Sequence, residues 1–397
     1  MTYAAFVRRR NFLVPAFLFA MACCNLSPLF WVLPKLRKGY QDFAIYYVSG
    51  RLLREGRSAL LYNLDAQYQE QLTFADVPIR LGALPFNHPA FEALLFVPFT
   101  FLGFWPAYLL WTALNFIMLA ATVHLLRRFP AIREVHPGLL CLGTLAFFPL
   151  TNGLLQGQDA ILFLFLAVMA LTRLDQGADR AAGAWLGAGL FRPHMLVPLA
   201  ILLAARRGRV LLGFASVALA LAFITVAITG WRGPLDYLRF VLLVERGNSI
   251  KPEVVPNLRG LAGTLVGHFS QPAAAFLIAE ASLAVFFLAL RRIRTGNDSA
   301  SYNFCLASVT GILVCFHALS YELTLLLPLV LFLLAAAVSD ETQHFGNGRL
   351  PLLLLLFLTP LYVYLILDVE RFFLFGIVVL WLFFRLLRAP APAAAPA

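Results

Sequence analysis

Five short polar segments interrupt an otherwise apolar chain, and each brings together side chains able to move a proton or hold an anion. The first runs Gln41-Asp42-Phe43-Ala44-Ile45-Tyr46-Tyr47 and continues to Gly56. Asp42 and Tyr46 are one turn apart and so share a side of any helix formed here. Such an aspartate is either a helix N-cap or a base placed to take a proton from a bound hydroxyl. The second segment is Asn87-His88-Pro89-Ala90-Phe91-Glu92, a turn leading into a span. Glu92 is unusual there, since a carboxylate one turn into a span faces protein or a cavity. The third, Asn152 to Asp159, holds Gln156 and Gln158 ahead of another span. In the fourth, Arg192-Pro193-His194, Arg192 stands alone between apolar stretches. It either snorkels to the interface or joins His194 in binding a phosphate. The fifth places His317, Tyr321 and Glu322 within six residues, which points to a site rather than a lone histidine.

The elements that must position these groups are helices in a membrane. Only 13% of the 397 residues are charged and 61% are hydrophobic, with a mean hydropathy of +0.81. So few charges do not cover a water-soluble surface of this size. A transmembrane β-barrel alternates apolar and polar residues and is far less hydrophobic overall. The expected fold class is therefore an all-α polytopic integral membrane protein. A helix needs roughly 20 apolar residues to span. The chain offers such runs at 11–33, 90–126, 138–152, 159–173, 181–206, 209–230, 272–290, 302–318, 323–338, 350–367 and 372–387. Basic clusters at Arg8–Arg10, Arg127/Arg128/Arg133, Arg173/Arg180, Arg206/Arg207/Arg209, Arg291/Arg292/Arg294, Arg349 and Arg385/Arg388 mark cytoplasmic loops, giving about 12 crossings with both termini inside. In 90–126 the Gly-Phe-Trp-Pro break suggests a hairpin, whereas the charge pattern asks for an odd number of crossings. The expected organisation is one membrane domain, 1–388, with extracytoplasmic loops at 34–89 and 231–258 and a disordered Ala/Pro tail at 389–397. Ile45, Val48 and Leu52 on one face, with Arg51, Arg54 and Glu55 elsewhere, predict an amphipathic interfacial helix in the first loop. Short, Pro-broken runs imply a polar cleft on the outward half, because irregular backbone at membrane depth must line a cavity or be buried in protein.

Composition also narrows the function. The net charge of +11 belongs to topology and anionic lipid headgroups rather than nucleic acid. No Walker motif, GxGxxG fingerprint, HExxH or Cys/His metal spacing is present, which disfavours a nucleotide-driven pump and a zinc hydrolase. Cys23, Cys24, Cys141, Cys305 and Cys315 all lie in apolar runs and read as small core hydrophobes.

Taken in order, the five segments resemble the polyprenol-phosphate-mannose-dependent mannosyltransferases of glycosyltransferase family 87, which have a GT-C fold. Asp42 to Leu53, followed by Leu61-Tyr62, resembles the family's Asp-Phe-x-x-Tyr-Tyr-x-x-Gly-Arg-x-Leu segment and Leu-Tyr. Asn87-His88-Pro89-Ala90-Phe91 stands where the family has Tyr-Pro-Pro-x-Phe, and Gly157-Gln158-Asp159 resembles its Gly-Gln-Asn turn. Arg192-Pro193-His194 corresponds to Lys-Pro-Gln, and Ser320-Tyr321-Glu322-Leu323 to Asp-Tyr-Asp-Leu. The likeness extends over about 41–335.

The resemblance implies a membrane hexosyltransferase working at the extracytoplasmic face of a bacterial inner membrane. Its donor would be a polyprenyl-phosphate sugar and its acceptor a lipid or glycan, with no cofactor and no metal. Asp42 occupies the position of the general base for an inverting displacement. Arg192 would meet the leaving phosphate, helped by His194 or Arg259. Tyr46, Tyr47, Asn87, His88, Gln156, Gln158, His317, Tyr321 and Glu322 complete the expected substrate-binding set. Two other classes compete: a lipid-linked sugar transporter, which calls for charges buried near mid-membrane, and an O-antigen polymerase or ligase, which calls for basic residues in a long late loop such as 231–258.

Overall fold

The computed structural model describes residues 3–388 apart from 28, 40, 77–81, 248–249, 339–347, 357–363 and 365–369. The Ala/Pro tail at 389–397 and much of the expected 350–367 run lie outside the described residues. Among the described residues every regular element is a helix.

Four helices are long and apolar enough to cross a bilayer: Phe104–Leu126, Arg209–Thr229, Gln271–Thr295 and Ser320–Val338. Two bent pairs, Leu13–Leu26 with Trp31–Arg37 and Pro137–Leu145 with Phe148–Gln156, raise the number to six if each pair is one span. By length, then, the expected dozen crossings are not reached among the described residues. The physical reason is breakage of the apolar runs. The 181–206 run divides into helices Asp179–Ala188 and Pro193–Ala204, with Arg192 at the break. The 90–126 run divides at Leu102–Gly103 into a short helical segment and the long Phe104–Leu126 helix.

The spanning helices sort by what covers them. Only 11% of the apolar window of Arg209–Thr229 and 17% of that of Gln271–Thr295 is buried, against 83% for Ser320–Val338. Leu219, Phe223, Phe276 and Phe287 are thus exposed over the outer helices, a surface suited to lipid and unsuited to water. With several such helices and this apolar balance, the chain is a multi-pass membrane protein. Cys305 and Cys315 are buried as the sequence suggests, whereas Cys23, Cys24 and Cys141 are exposed, since their helix faces are left uncovered.

Two apolar clusters divide the interior. The larger gathers around Ala160–Asp175, Pro193–Ala204, Ala300–Val314 and Leu327–Val338. The smaller is aromatic, with Phe43, Tyr46, Tyr47, Phe96, Phe99, Phe104, Tyr108 and Trp111. Its centre is the Phe43–Arg54 helix, and here the structure corrects the sequence reading. The helix forms within the predicted segment, but nine of its twelve residues are buried, so protein covers it on more than the one apolar face expected. The Ala90–Phe101 segment and the Phe104–Leu126 helix cover it. At the tightest crossing, a Cβ on Gly50 would sit 2.7 Å from the Phe96 carbonyl carbon, so only glycine allows this approach. The 231–258 segment likewise is mostly ordered, as helix Gly233–Gly247 and the turn Pro252–Val254 before helix Leu258–Leu265.

Candidate active site

The site lies where the two clusters meet, and a helix terminus builds it. The Phe148–Gln156 helix ends at Gly157, which is left-handed at φ +64°. Gln158 N–H donates to the Gly153 carbonyl at 2.9 Å and Gly157 N–H to that of Leu154 at 3.1 Å, the two bonds of a Schellman terminus. Tyr108 and Trp111 donate to the carbonyls of Leu155 and Gly157, each at 2.9 Å. A Cβ on Gly157 would fall 2.8 Å from the Phe43 Cβ. The turn therefore fits against the Phe43–Arg54 helix only as glycine, and it sends Gln158 and Asp159 towards that helix.

Gln158 is the hinge of the resulting network. Its Nε2 donates to Asp42 Oδ2 at 2.8 Å, while its Oε1 accepts from Tyr46 Oη at 2.8 Å and from Arg192 Nη2 at 3.0 Å. This pattern fixes the amide orientation, since a flipped amide would set NH2 against a guanidinium. Gln156 contributes its Oε1, which accepts from the Asp42 backbone N–H at 3.3 Å. Asp42 occupies the N-cap position, yet its side chain makes no capping hydrogen bond. Its carboxylate, only partly buried, is turned to Gln158 instead. The capping alternative is thus not what the side chain does.

Arg192 is 3% exposed and committed to carboxylates. Its Nε donates to Asp159 Oδ1 at 2.8 Å and its Nη1 to Glu322 Oε1 at 2.6 Å, and its Nη2 also contacts Asp159 Oδ1. The Tyr321 ring lies 5.5 Å from the guanidinium carbon. Snorkelling is excluded by this burial. For the expected phosphate, at most one of the five guanidinium N–H groups is left over. Beside it His194 has a buried Nε2 without a hydrogen-bond partner, and its ring lies 6.1 Å from that of His317.

Tyr46 is fully buried, and its hydroxyl also lies 3.0 Å from Asp159 Oδ1. Burial, then the neighbouring Asp159 carboxylate, push this phenol well above its ordinary pKa, so it remains a protonated donor. Next to it His88 Nδ1 is 2.7 Å from Glu92 Oε2. Burial alone would lower the His88 pKa, but the Glu92 carboxylate outweighs it and the net shift is upward. His88 Nδ1, both Glu92 oxygens and Asp159 Oδ2 have no aligned hydrogen-bond partner. Suitable ligand atoms of His88, Glu92 and Asp159 lie within 4.8 Å of one another, a set able to hold a metal ion.

Of the residues expected from sequence, the network joins Asp42, Tyr46, Gln156, Gln158, Arg192 and Glu322, with His88, His194 and Tyr321 against it. Tyr47 is not part of it. Its hydroxyl donates to the Leu102 carbonyl at 2.8 Å and its ring packs on Phe74 and Phe104. Asn87 is partly buried in the turn before His88. Arg259 donates to the carbonyls of Phe316 and Ile250 at 2.9 and 3.0 Å, and with Asn257, which donates to the Cys315 carbonyl at 2.5 Å, it grips the turn bearing His317. Asp159 and Glu92 were outside the expected set, though the position of Glu92 one turn into an apolar helix was a visible signal.

A family model, glycosyltransferase family 87, matches residues 86–319, more than half of the chain. The chain belongs to glycosyltransferase family 87. No curated protein and no solved structure matches it. As a family 87 member it is a membrane glycosyltransferase, and the matched stretch contains His88, Glu92, Gln158, Asp159, Arg192, Arg259 and His317. Asp42 and Tyr46 precede that stretch, and Tyr321 and Glu322 follow it. The hydrogen bonds of Gln158 and Arg192 tie both flanks to the matched core of the family 87 chain.

Proposed function

We propose that the protein transfers a hexose, mannose by its resemblance, from a polyprenyl-phosphate sugar to a hydroxyl of a lipid or glycan acceptor. The reaction is placed at the extracytoplasmic face of a bacterial inner membrane and inverts the anomeric carbon. The observation behind this reading is the Asp42 carboxylate, partly exposed, released from capping and oriented by Gln158 in a family 87 chain. In the single displacement the acceptor O–H proton goes to Asp42 as its oxygen bonds to the anomeric carbon. The bond from that carbon to the phosphate oxygen breaks, and polyprenyl phosphate leaves with the electron pair. It departs as an anion and needs no strong general acid. His194, with hydrogen-bonding capacity left at Nε2, is better placed than Arg192 to meet it. Arg192 holds Asp159 and Glu322 in place, and Glu322 and Tyr321 beside it are assigned to bind sugar hydroxyls or orient the acceptor.

One observation favours a transport reading as well: Arg192, Asp159 and Glu322 form a buried charged cluster in a membrane protein. A single assay separates the two. Purified protein is mixed with labelled polyprenyl-phosphate mannose and a panel of lipid and glycan acceptors. Release of polyprenyl phosphate with a labelled product supports transfer. Consumption of no polyprenyl-phosphate sugar with any acceptor, together with flipping in vesicles, would replace it by transport.

A further inference from the structure

Behind Asp42 the interior holds a cluster of buried carboxyl groups. Glu92 and Asp159 are 0% exposed and Glu322 is 3% exposed, and the one guanidinium among them, Arg192, pairs with Asp159 and Glu322 but not with Glu92. Buried carboxylates are expensive unless paired, hydrogen-bonded or bound to a cation. Yet both Glu92 oxygens and the second Asp159 oxygen, Oδ2, lack a hydrogen-bond partner. The fourth orphan is His88 Nδ1, only 2.7 Å from Glu92 Oε2 but not aligned as a hydrogen bond. The three residues converge on one spot, with one ligand atom of each within 4.8 Å of the others.

We propose that His88, Glu92 and Asp159 form a binding site for a divalent transition-metal ion, zinc or manganese. One imidazole and two carboxylates are a donor set these ions accept, and calcium or magnesium sites rarely include an imidazole. Ligand atoms around such an ion at about 2.0–2.2 Å stand roughly 3–3.5 Å apart, so the His88–Glu92 pair at 2.7 Å would open slightly and no pair has to close from beyond 4.8 Å. The surroundings fit as well. The other Asp159 oxygen already accepts from Tyr46 and Arg192, which orients the carboxylate and leaves Oδ2 for the ion. The Tyr46 ring lies edge-on to His88, 5.3 Å between centroids, and the Phe86 ring stacks on its other side at 5.5 Å. The imidazole plane is thereby held. The charge of the ion would favour the ionised form of Glu92, and Asp159 and Gln158 connect the site through shared Tyr46 and Arg192 contacts to Asp42. The inference departs from the sequence expectation of no metal. It rests on side-chain geometry alone and is independent of the donor sugar.

The test is metal content of untagged protein, purified in detergent without chelator and then dialysed against Zn2+ or Mn2+. About one equivalent per chain by mass spectrometry is expected, falling to background in Glu92→Gln and His88→Ala and unchanged in Asp42→Asn. Removal of the ion with EDTA should lower the apparent Tm, and adding back the same ion should restore it. Wild-type protein that takes up neither ion, or shows a Tm indifferent to both EDTA and metal, overturns the proposal. So does a folded Glu92→Gln protein that keeps the full equivalent. If Glu92→Gln does not fold, the wild-type uptake and chelator series decide the question unaided.

Discussion

The amide nitrogen of Gln158 donates to the Asp42 carboxylate at 2.8 Å, across 116 positions of sequence. That bond joins a helix start to a left-handed helix terminus, and it explains why Asp42 is turned away from its own backbone. Gln158→Leu removes the donor and leaves Tyr46 and Arg192 with Asp159 Oδ1 as their one remaining shared acceptor in the network. A hydrogen bond to a charged group contributes about 1.5–3 kcal/mol, so kcat should fall about tenfold to a hundredfold. Steady-state transfer kinetics on the folded variant check this, and an unchanged kcat removes Gln158 from the site.

Arg192 is predicted to be structural before it is anything else. Its replacement by alanine strands Asp159 and Glu322 as buried charges, a loss of about 3–5 kcal/mol. The apparent Tm in detergent should drop steeply for Arg192→Ala. Adding Asp159→Asn and Glu322→Gln in the same chain should recover part of it. Arg192→Lys should rescue little, because one ammonium does not reproduce the forked contacts to both acids.

Gly157→Ala tests the turn that aims Gln158. The substitution demands a left-handed alanine and sets its Cβ against Phe43 and Tyr108. A cost of about 1–3 kcal/mol is expected, with lowered activity in whatever protein folds. Gly56→Ala also meets a positive φ, but nothing lies within 4 Å of its Cβ, so the difference between the two variants isolates the packing contribution.

How much of this was legible beforehand differs residue by residue. The Phe43–Arg54 helix could be read from periodicity, since Ile45, Val48 and Leu52 recur at helical spacing. Its burial could not, because the covering side chains, among them Phe96 and Phe104, arrive from distant segments. Arg192 was conspicuous as a lone cation, and loneliness in sequence suggested an external anion. Its real partners are 33 and 130 positions away, and nothing local names them. Glu92 was flagged by its place in an apolar helix, but its convergence with Asp159 depends on the packing of two helices. Hydropathy located the apolar runs but not the breaks at Gly103 and Arg192, which divide two of them into shorter helices.

Orientation in the membrane yields its own prediction. In a cysteine-free background, Ser58→Cys should react with an impermeant maleimide from outside intact cells. Ser299→Cys should react only after permeabilisation. The reverse pattern would invert the positive-inside assignment and move the Asp42 region to the cytoplasmic side.

The most direct test of the central claim compares wild type with Asp42→Asn, using purified protein, labelled polyprenyl-phosphate mannose and a competent acceptor. Asparagine keeps the size and hydrogen-bonding reach of the side chain but cannot take the acceptor proton. Loss of a general base costs about 10²–10⁴ in rate. The account predicts a fall of that size in polyprenyl phosphate release, with unchanged Tm and little change in donor binding. Release that persists undiminished in Asp42→Asn would contradict it.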